Sequence, residues 1–363
     1  MVSSVDWAWE KLDTSPAWVS EEVRQGGNVS LPFKRYGHSV VVYQDKVYLW
    51  GGRNDQSVCN TLFCFDPRTR RWSVPDLKSQ STKPPACDGH SACVIGNMMY
   101  VFGGFEDSAQ QFSQELYAYD FDENAWRYIR TSTEILPPQR DFHSAVAIGE
   151  DMYIFGGRSD ESAPYYTGRD VYHPELYRFN TRLKEWTLVT PYHPRRKPVS
   201  PRGRRSLSAF EYNGNLYITC GYNGIEKKHY NDFFMFNVAG NYWVELKPKG
   251  SGPAPRRRMS SCVLDNRVFF FGGTSPRTRP DAGSESSEEE HGEVELRGLE
   301  NHGDIFILDM FPTLRTRCMK AIIHHKLNYS EITWDVKGEL KKMCSEKALE
   351  DAKGRCFKRG MMA

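Results

Sequence analysis

The chain has 363 residues, a formal net charge of +2, 13% aromatic residues and 29 glycines. Charge so nearly balanced offers no bulk field for nucleic acid or an anionic membrane, and no apolar run approaches the roughly 20 residues of a membrane span. Nine cysteines are scattered without a CxxC pair. This pattern argues for a reducing compartment, cytoplasm or nucleus, and against a disulfide framework or structural zinc. The opening stretch lacks the charged start and apolar core of a signal peptide.

Taken in chain order, the first element is Val5-Asp6-Trp7-Ala8-Trp9-Glu10-Lys11-Leu12, a strand-like aromatic segment with no partner strands before it. A repeating unit then begins. His38-Ser39 precedes Gly51-Gly52, His90-Ser91 precedes Gly103-Gly104, and His143-Ser144 precedes Gly156-Gly157, each at the same spacing. Two degraded copies keep the register, Leu207 before Cys220-Gly221 and Met259 before Gly272-Gly273. Four copies continue through an aromatic segment ending in Asp or Asn (Asp66, Asp120, Asn180, Asn237) to Trp72, Trp126, Trp186 and Trp243. A period of roughly fifty residues resembles that of kelch propeller blades.

Strand physics accounts for the unit. Short apolar runs such as Val47-Tyr48-Leu49-Trp50, closed by paired glycines, read as strands ending where the backbone turns to positive φ. Sheets stacked radially cover one another's faces, and the recurrent Trp is expected as an anchor between blades. The fold class is therefore all-β, a kelch β-propeller with five recognisable blade motifs over residues 1–310 and a short C-terminal helical segment after it. The fifth copy has Arg315 where the Trp should stand. The N-terminal segment can supply its missing fourth strand and bury an exposed edge; the competing reading is a six-bladed ring whose first blade is mostly absent. Residues 274–303, carrying Ser284-Glu285-Ser286-Ser287-Glu288-Glu289-Glu290, are expected to form an acidic mobile loop. Residues 346–363 read as a basic flexible tail.

Just past the last repeat, Leu314, Cys318 and Ile322 fall at helical spacing behind Pro312. A small thiol between larger apolar residues makes a ridge with a notch, suited to a partner's groove. The segment resembles the box with which substrate receptors of cullin-type ubiquitin ligases bind elongin C, and the resemblance implies elongin B/C as partners over residues 311–345. A cullin-selecting segment would follow, with Ile332 and Val336 the contact residues and cullin-2 the implied partner, although Tyr329 stands where that pattern carries Pro. The plain alternative is a C-terminal helix that packs on the ring.

Kelch receptors of this kind recognise the extreme C-terminus of client proteins, often ending in glycine near a basic residue, so the resemblance implies a carboxylate pocket. Arginine stands three residues before the His position at Arg35, Arg140, Arg204 and Arg256, with further arginines at Arg53, Arg158 and Arg205. Its planar fork pairs bidentately with a carboxylate and stays charged. The candidate degron-binding set is Arg158, Arg205, Arg204, Arg140, Arg53, Tyr222 and Asn223, with Arg158 and Arg205 as anchors. Arg35 and Arg256 read instead as loop braces, as do His38, His90 and His143. No carboxylate pair, nucleophile or His/Tyr cluster suggests catalysis, a metal or a cofactor. The rival to the ligase receptor is a kelch scaffold or chromatin-associated interaction protein.

Overall fold

The computed structural model describes residues 31–192, 199–250, 252–277 and 298–311, with the isolated positions Cys318, Ile322, Lys337, Gly338, Leu340 and Lys341. Blade one holds β1 (Tyr36–Tyr43), β2 (Lys46–Arg53), β3 (Leu62–Asp66) and β4 (Arg71–Ser73). Blade two holds a short β5 (Cys87–Asp88), then β6 (Ser91–Ile95), β7 (Met98–Glu106), β8 (Gln111–Asp120) and β9 (Ala125–Tyr128). In blade three, β10 (Ser144–Ile148) and β11 (Asp151–Phe155) lead through a ribbon of β12 (Arg158–Asp160) and β13 (Asp170–Tyr172) to β14 (Leu176–Asn180) and β15 (Glu185–Val189). Blade four repeats that plan with β16 (Ser208–Tyr212), β17 (Asn215–Thr219), the ribbon β18 (Tyr222–Asn223) and β19 (Lys228–His229), then β20 (Phe233–Asn237) and β21 (Tyr242–Leu246). Blade five has β22 (Ser260–Leu264), β23 (Arg267–Phe271), the ribbon β24 (Thr274–Pro276) and β25 (Leu299–Asn301), and β26 (Ile305–Asp309).

The strands pair antiparallel, in the meander the repeat predicted, to give a five-bladed β-propeller. A register of backbone bonds aligns the blades. The residue before each His position takes positive φ (Gly37, Gly89, Phe142, Ser206 and Arg258). The N–H groups of Gly89, Phe142, Ser206 and Arg258 donate to the carbonyls of Gly37, Gly89, Phe142 and Ser206 at 2.6–2.9 Å. Each blade is thus stitched to the one before at the inner end, gathering the five entry loops together. The paired glycines matter for the same closeness: a Cβ on Gly156, at φ +76°, would stand 2.5 Å from the Arg204 carbonyl.

The core lies between blades. Trp126 packs on Trp50 at 4.6 Å between ring centroids, Trp186 on Phe102 at 5.0 Å and Trp243 on Phe155 at 5.6 Å, so three of the four tryptophans anchor the preceding blade as expected. Among the described residues, the ring contacts of Trp72 are with Phe63 and Phe65 of its own blade. Both end blades carry exposed apolar side chains. Val40 and Val42 of β1 are 50% and 66% exposed, and Leu264, Ile305 and Ile307 of blade five are exposed likewise.

One expectation needs correcting. Residues 274–303 are not loop throughout, because their ends pair as the β24–β25 ribbon, Thr274 opposite Asn301. Backbone groups at the ends of a long insertion still need partners, and each other's are the nearest. The acidic run Ser284–Glu290, the N-terminal segment Val5–Leu12 and the tail beyond residue 341 lie outside the described residues.

Candidate functional site

The entry loops bring two arginine series to the inner end of the blades, and they do different things. In the first series, Arg35, Arg140, Arg204 and Arg256 donate through Nε to the carbonyls of Phe33, Pro138, Arg202 and Ala254. Through Nη1 they donate to the carbonyls of Gly51, Gly156, Cys220 and Gly272, at 2.9–3.1 Å. Each guanidinium therefore ties an entry loop to the end of its second strand. Arg204 is also paired with Asp232, and Arg256 with Asp304.

Arg140 and Arg204 are fully buried, which corrects their place among the degron-binding candidates. Their Nε and Nη1 donors brace backbone carbonyls, and no surface remains for a ligand. The bracing role read for Arg35 and Arg256 extends to the whole series. Burial also weighs on the Arg140 cation, lowering its pKa to about 10.

The second series occupies the next residue of the entry loop and the residue after the glycine pair, which form bridges across the loop. Asp141 pairs with Arg158, Arg205 with Tyr222 and Arg257 with Thr274, while Asp88 pairs with Phe105 and Tyr36 with Arg53. Because they adjoin the stitched residues, Asp88, Asp141, Arg205 and Arg257 converge at one mouth.

Arg158 grips Asp141 with both ends of its fork, Nε to Oδ1 at 3.2 Å and Nη2 to Oδ2 at 2.6 Å, and stands 3.9 Å from Asp170. Burial opposes the Arg158 cation, but Asp141 and Asp170 outweigh it and its pKa is raised. Burial raises the Asp141 carboxyl against the pull of Arg158 and Arg205. Asp88, 3.7 Å from Arg53, is pushed up to about 6 by burial, with Arg53 opposing and Asp141 adding to the rise.

On the other side of the mouth, Arg205 and Arg257 lie 5.4 and 4.6 Å from the Tyr222 ring. A guanidinium over an aromatic face is held by the ring's quadrupole while its edge still presents donors. Tyr172, whose hydroxyl donates to Asp170 at 2.9 Å, feels the Arg205 charge.

The structure thus brings together Arg53, Arg158, Arg205 and Tyr222. Asn223 adjoins them but organises the loop: its Nδ2 donates to the Gly203 carbonyl at 2.8 Å and its Oδ1 accepts from the N–H groups of Ile225 and Glu226. Sequence reasoning missed Arg257, Asp88, Asp141, Asp170 and Tyr172. Aligning the position two before each His site would have exposed Asp88, Asp141, Arg205 and Arg257 as one set.

His143 accepts or donates at 2.7 Å to Ser91 Oγ across the blade junction, and His90 sits 3.5 Å from Cys87 Sγ. Both belong to the packing between blades, and among the described residues no cluster of His, Cys, Asp and Glu could hold a metal ion. Cys318 lies on helical backbone and is exposed, Ile322 is helical and half-buried, and Leu340 is buried. Leu314, Ile332 and Val336 lie outside the described residues.

A meander propeller whose loops converge on a two-signed mouth defines a kelch-type interaction module. The KLHDC2/KLHL20/DRC7 Kelch-repeats domain model matches residues 37–273, and the chain belongs to this kelch-repeat family. It is similar to Kelch domain-containing protein 3 of Bos taurus, 42% identical over 344 residues, 94% of this chain and 83% of the relative. The Homo sapiens protein of that name is 40% identical over 343 residues, with the same shares covered. Host cell factor of Drosophila melanogaster is 27% identical over 270 residues, 71% of this chain but 17% of that protein.

Proposed function

We propose that this protein is a substrate receptor of a cullin-RING ubiquitin ligase, reading the C-terminus of client proteins at the propeller mouth. The observation that carries the reading is the convergence of Arg158 and Arg205 about Asp141, with Arg205 and Arg257 over Tyr222. Of these, Arg205, set over Tyr222, is the anchor for a terminal carboxylate, since Arg257 is buried as fully as Arg140 and Arg204. The opposite side of the mouth carries Asp88, Asp141 and Asp170. A chain end of glycine preceded by a basic residue has a matching order of charge, its carboxylate toward blades four and five and its cation toward blades two and three. Glycine suits the terminal position because the mouth is lined by large side chains.

The element for the adaptor is the helical Cys318 with Leu314 and Ile322, which would engage elongin B/C; Ile332 and Val336 would contact cullin-2. Exposure of Cys318 supports that reading. The receptor is expected to work in cytoplasm and nucleus.

The test is a glycine-ended peptide with a basic penultimate residue, compared by fluorescence anisotropy with its C-terminally amidated twin. The carboxylate form should bind at least tenfold tighter, and Arg205→Ala should remove most of that difference. Equal affinity for the two peptides refutes the carboxylate reading and favours a scaffold. Separately, elongin B and C should co-purify with the protein and be lost from a Leu314→Glu/Cys318→Glu variant.

A further inference from the structure

The ribbon of blade three carries a longer loop than that of blade four, residues 161–169 between β12 and β13 against residues 224–227 between β18 and β19. The longer loop is firmly held. The buried Asp160 carboxylate accepts from the N–H groups of Ser162, Thr167 and Arg169 and from the Thr167 hydroxyl, at 2.7–3.1 Å. The Glu161 N–H donates to the Arg169 carbonyl at 3.0 Å, and the Phe112 N–H of blade two donates to the Pro164 carbonyl at 2.7 Å. The loop therefore crosses from its own blade onto β8.

Two neighbouring aromatic side chains stand out from it, Tyr165 at 62% exposure and Tyr166 at 51%. A single exposed aromatic is ordinary on a protein surface. An adjacent pair on a backbone fixed by so many bonds is a different matter. Tyrosine offers a large amphipathic contact area with few rotatable bonds, and a loop already ordered loses little entropy when a partner covers it.

The pair is continuous with the mouth. Tyr166 lies 5.2 Å from the Arg158 guanidinium and meets the buried Phe112 edge-on at 6.0 Å, and Phe112 lies 5.6 Å from the same guanidinium. Arg158 in turn grips Asp141. An unbroken run of contacts thus leads from the acidic side of the mouth out to Tyr166 at its rim. A chain end laid with its carboxylate toward blades four and five and its cation toward blades two and three leaves the mouth past this rim.

We propose, resting on the terminus-reading function above, that Tyr165 and Tyr166 form a second subsite. It takes an apolar or aromatic side chain of the client from just upstream of the terminal basic residue and glycine. The mouth selects the charged end, and the rim adds a preference for what precedes it.

The full chain is tested by fluorescence anisotropy with serine-rich decapeptides ending in Arg-Gly, in which one Trp is placed in turn at the third to sixth residue from the end. At least one placement should bind fivefold or more tighter than the peptide without Trp. Tyr165→Ser/Tyr166→Ser should abolish that gain while the urea midpoint of unfolding stays within error. Tyr165→Ser alone, at the more exposed position, should lose part of it. The amidated peptides separate the two readings: the ratio of free to amidated affinity reports the terminal pocket, and the gain from Trp reports the rim. The proposal is overturned if no placement of Trp improves binding, or if the gain survives in the double variant.

Discussion

His90 and His143 stand buried between blades as neutral imidazoles, which makes the propeller's stability fall on mild acidification. Burial, with His38 adding to it, lowers His90 to about 3, and burial with the nearby Arg140 charge holds His143 well below its ordinary value. A histidine with a lowered native pKa loses stability as pH falls below the unfolded value near 6.5, and continues to do so down to its native value. From pH 7 to 5.5 the unfolded imidazole takes up most of a proton that the native one refuses, a cost of about 1.2 kcal/mol per site. Two sites cost about 2.5 kcal/mol. Asp88 works the other way: its native pKa of about 6 exceeds the unfolded ~3.9, so protonation favours the native state and returns about 0.8 kcal/mol over the same interval. The net from these three groups is a loss of roughly 2 kcal/mol, to which the lowered His38 and His173 add in the same direction. His143→Gln keeps a group able to bond Ser91 Oγ but cannot titrate. Its cost should appear equally at both pH values, while the loss between pH 7 and 5.5, measured by urea unfolding, should shrink by about 1.2 kcal/mol. A pH dependence identical to that of the natural protein would refute the assignment of a neutral buried imidazole.

Two further outcomes follow from the packing and the mouth. Trp186→Ala vacates the junction between blades two and three and should cost about 3–5 kcal/mol in chemical unfolding, whereas Trp72→Ala, half-buried against its own blade alone, should cost roughly 1–2 kcal/mol. Asp141→Asn leaves the Arg158 cation without its bidentate partner and should destabilise by about 3 kcal/mol, while the Asp141→Leu/Arg158→Met double substitution, measured by the same unfolding curves, should cost less than the single change.

The propeller was legible because its determinants are local and repeated. A strand run, a glycine pair and a tryptophan at fixed spacing recur in each copy, and the relation of Trp186 to Phe102 is the relation of Trp126 to Trp50. The mouth was harder to read for a reason visible in Arg204 and Arg205. Successive side chains of extended backbone point to opposite sides, so Arg204 turns into the fold to meet the Cys220 carbonyl and Asp232, and Arg205 turns to the mouth beside Tyr222. Both are arginine, and their types alone cannot tell them apart. The same alternation separates Arg256 from Arg257 and Arg140 from Asp141. Asp232 and Asp304, which fix the inward set, stand outside the entry loops, at the start of the third strands.

That alternation also explains how a repeat built for rigidity can carry a variable site. The brace position must be a long donor able to reach two carbonyls, and it is Arg in blades one, three, four and five. Its neighbour has no such duty, and across the blades it is Tyr36, Asp88, Asp141, Arg205 and Arg257. Backbone bonds through Gly37, Gly89, Phe142, Ser206 and Arg258 set where that neighbour stands, whatever its side chain. Changing the mouth residue therefore alters charge at the site without disturbing the stitching that builds it. The order found here, acidic in blades two and three and basic in blades four and five, gives the mouth a dipole across its width. A ligand with its anion and cation one residue apart would align with that dipole in one sense only.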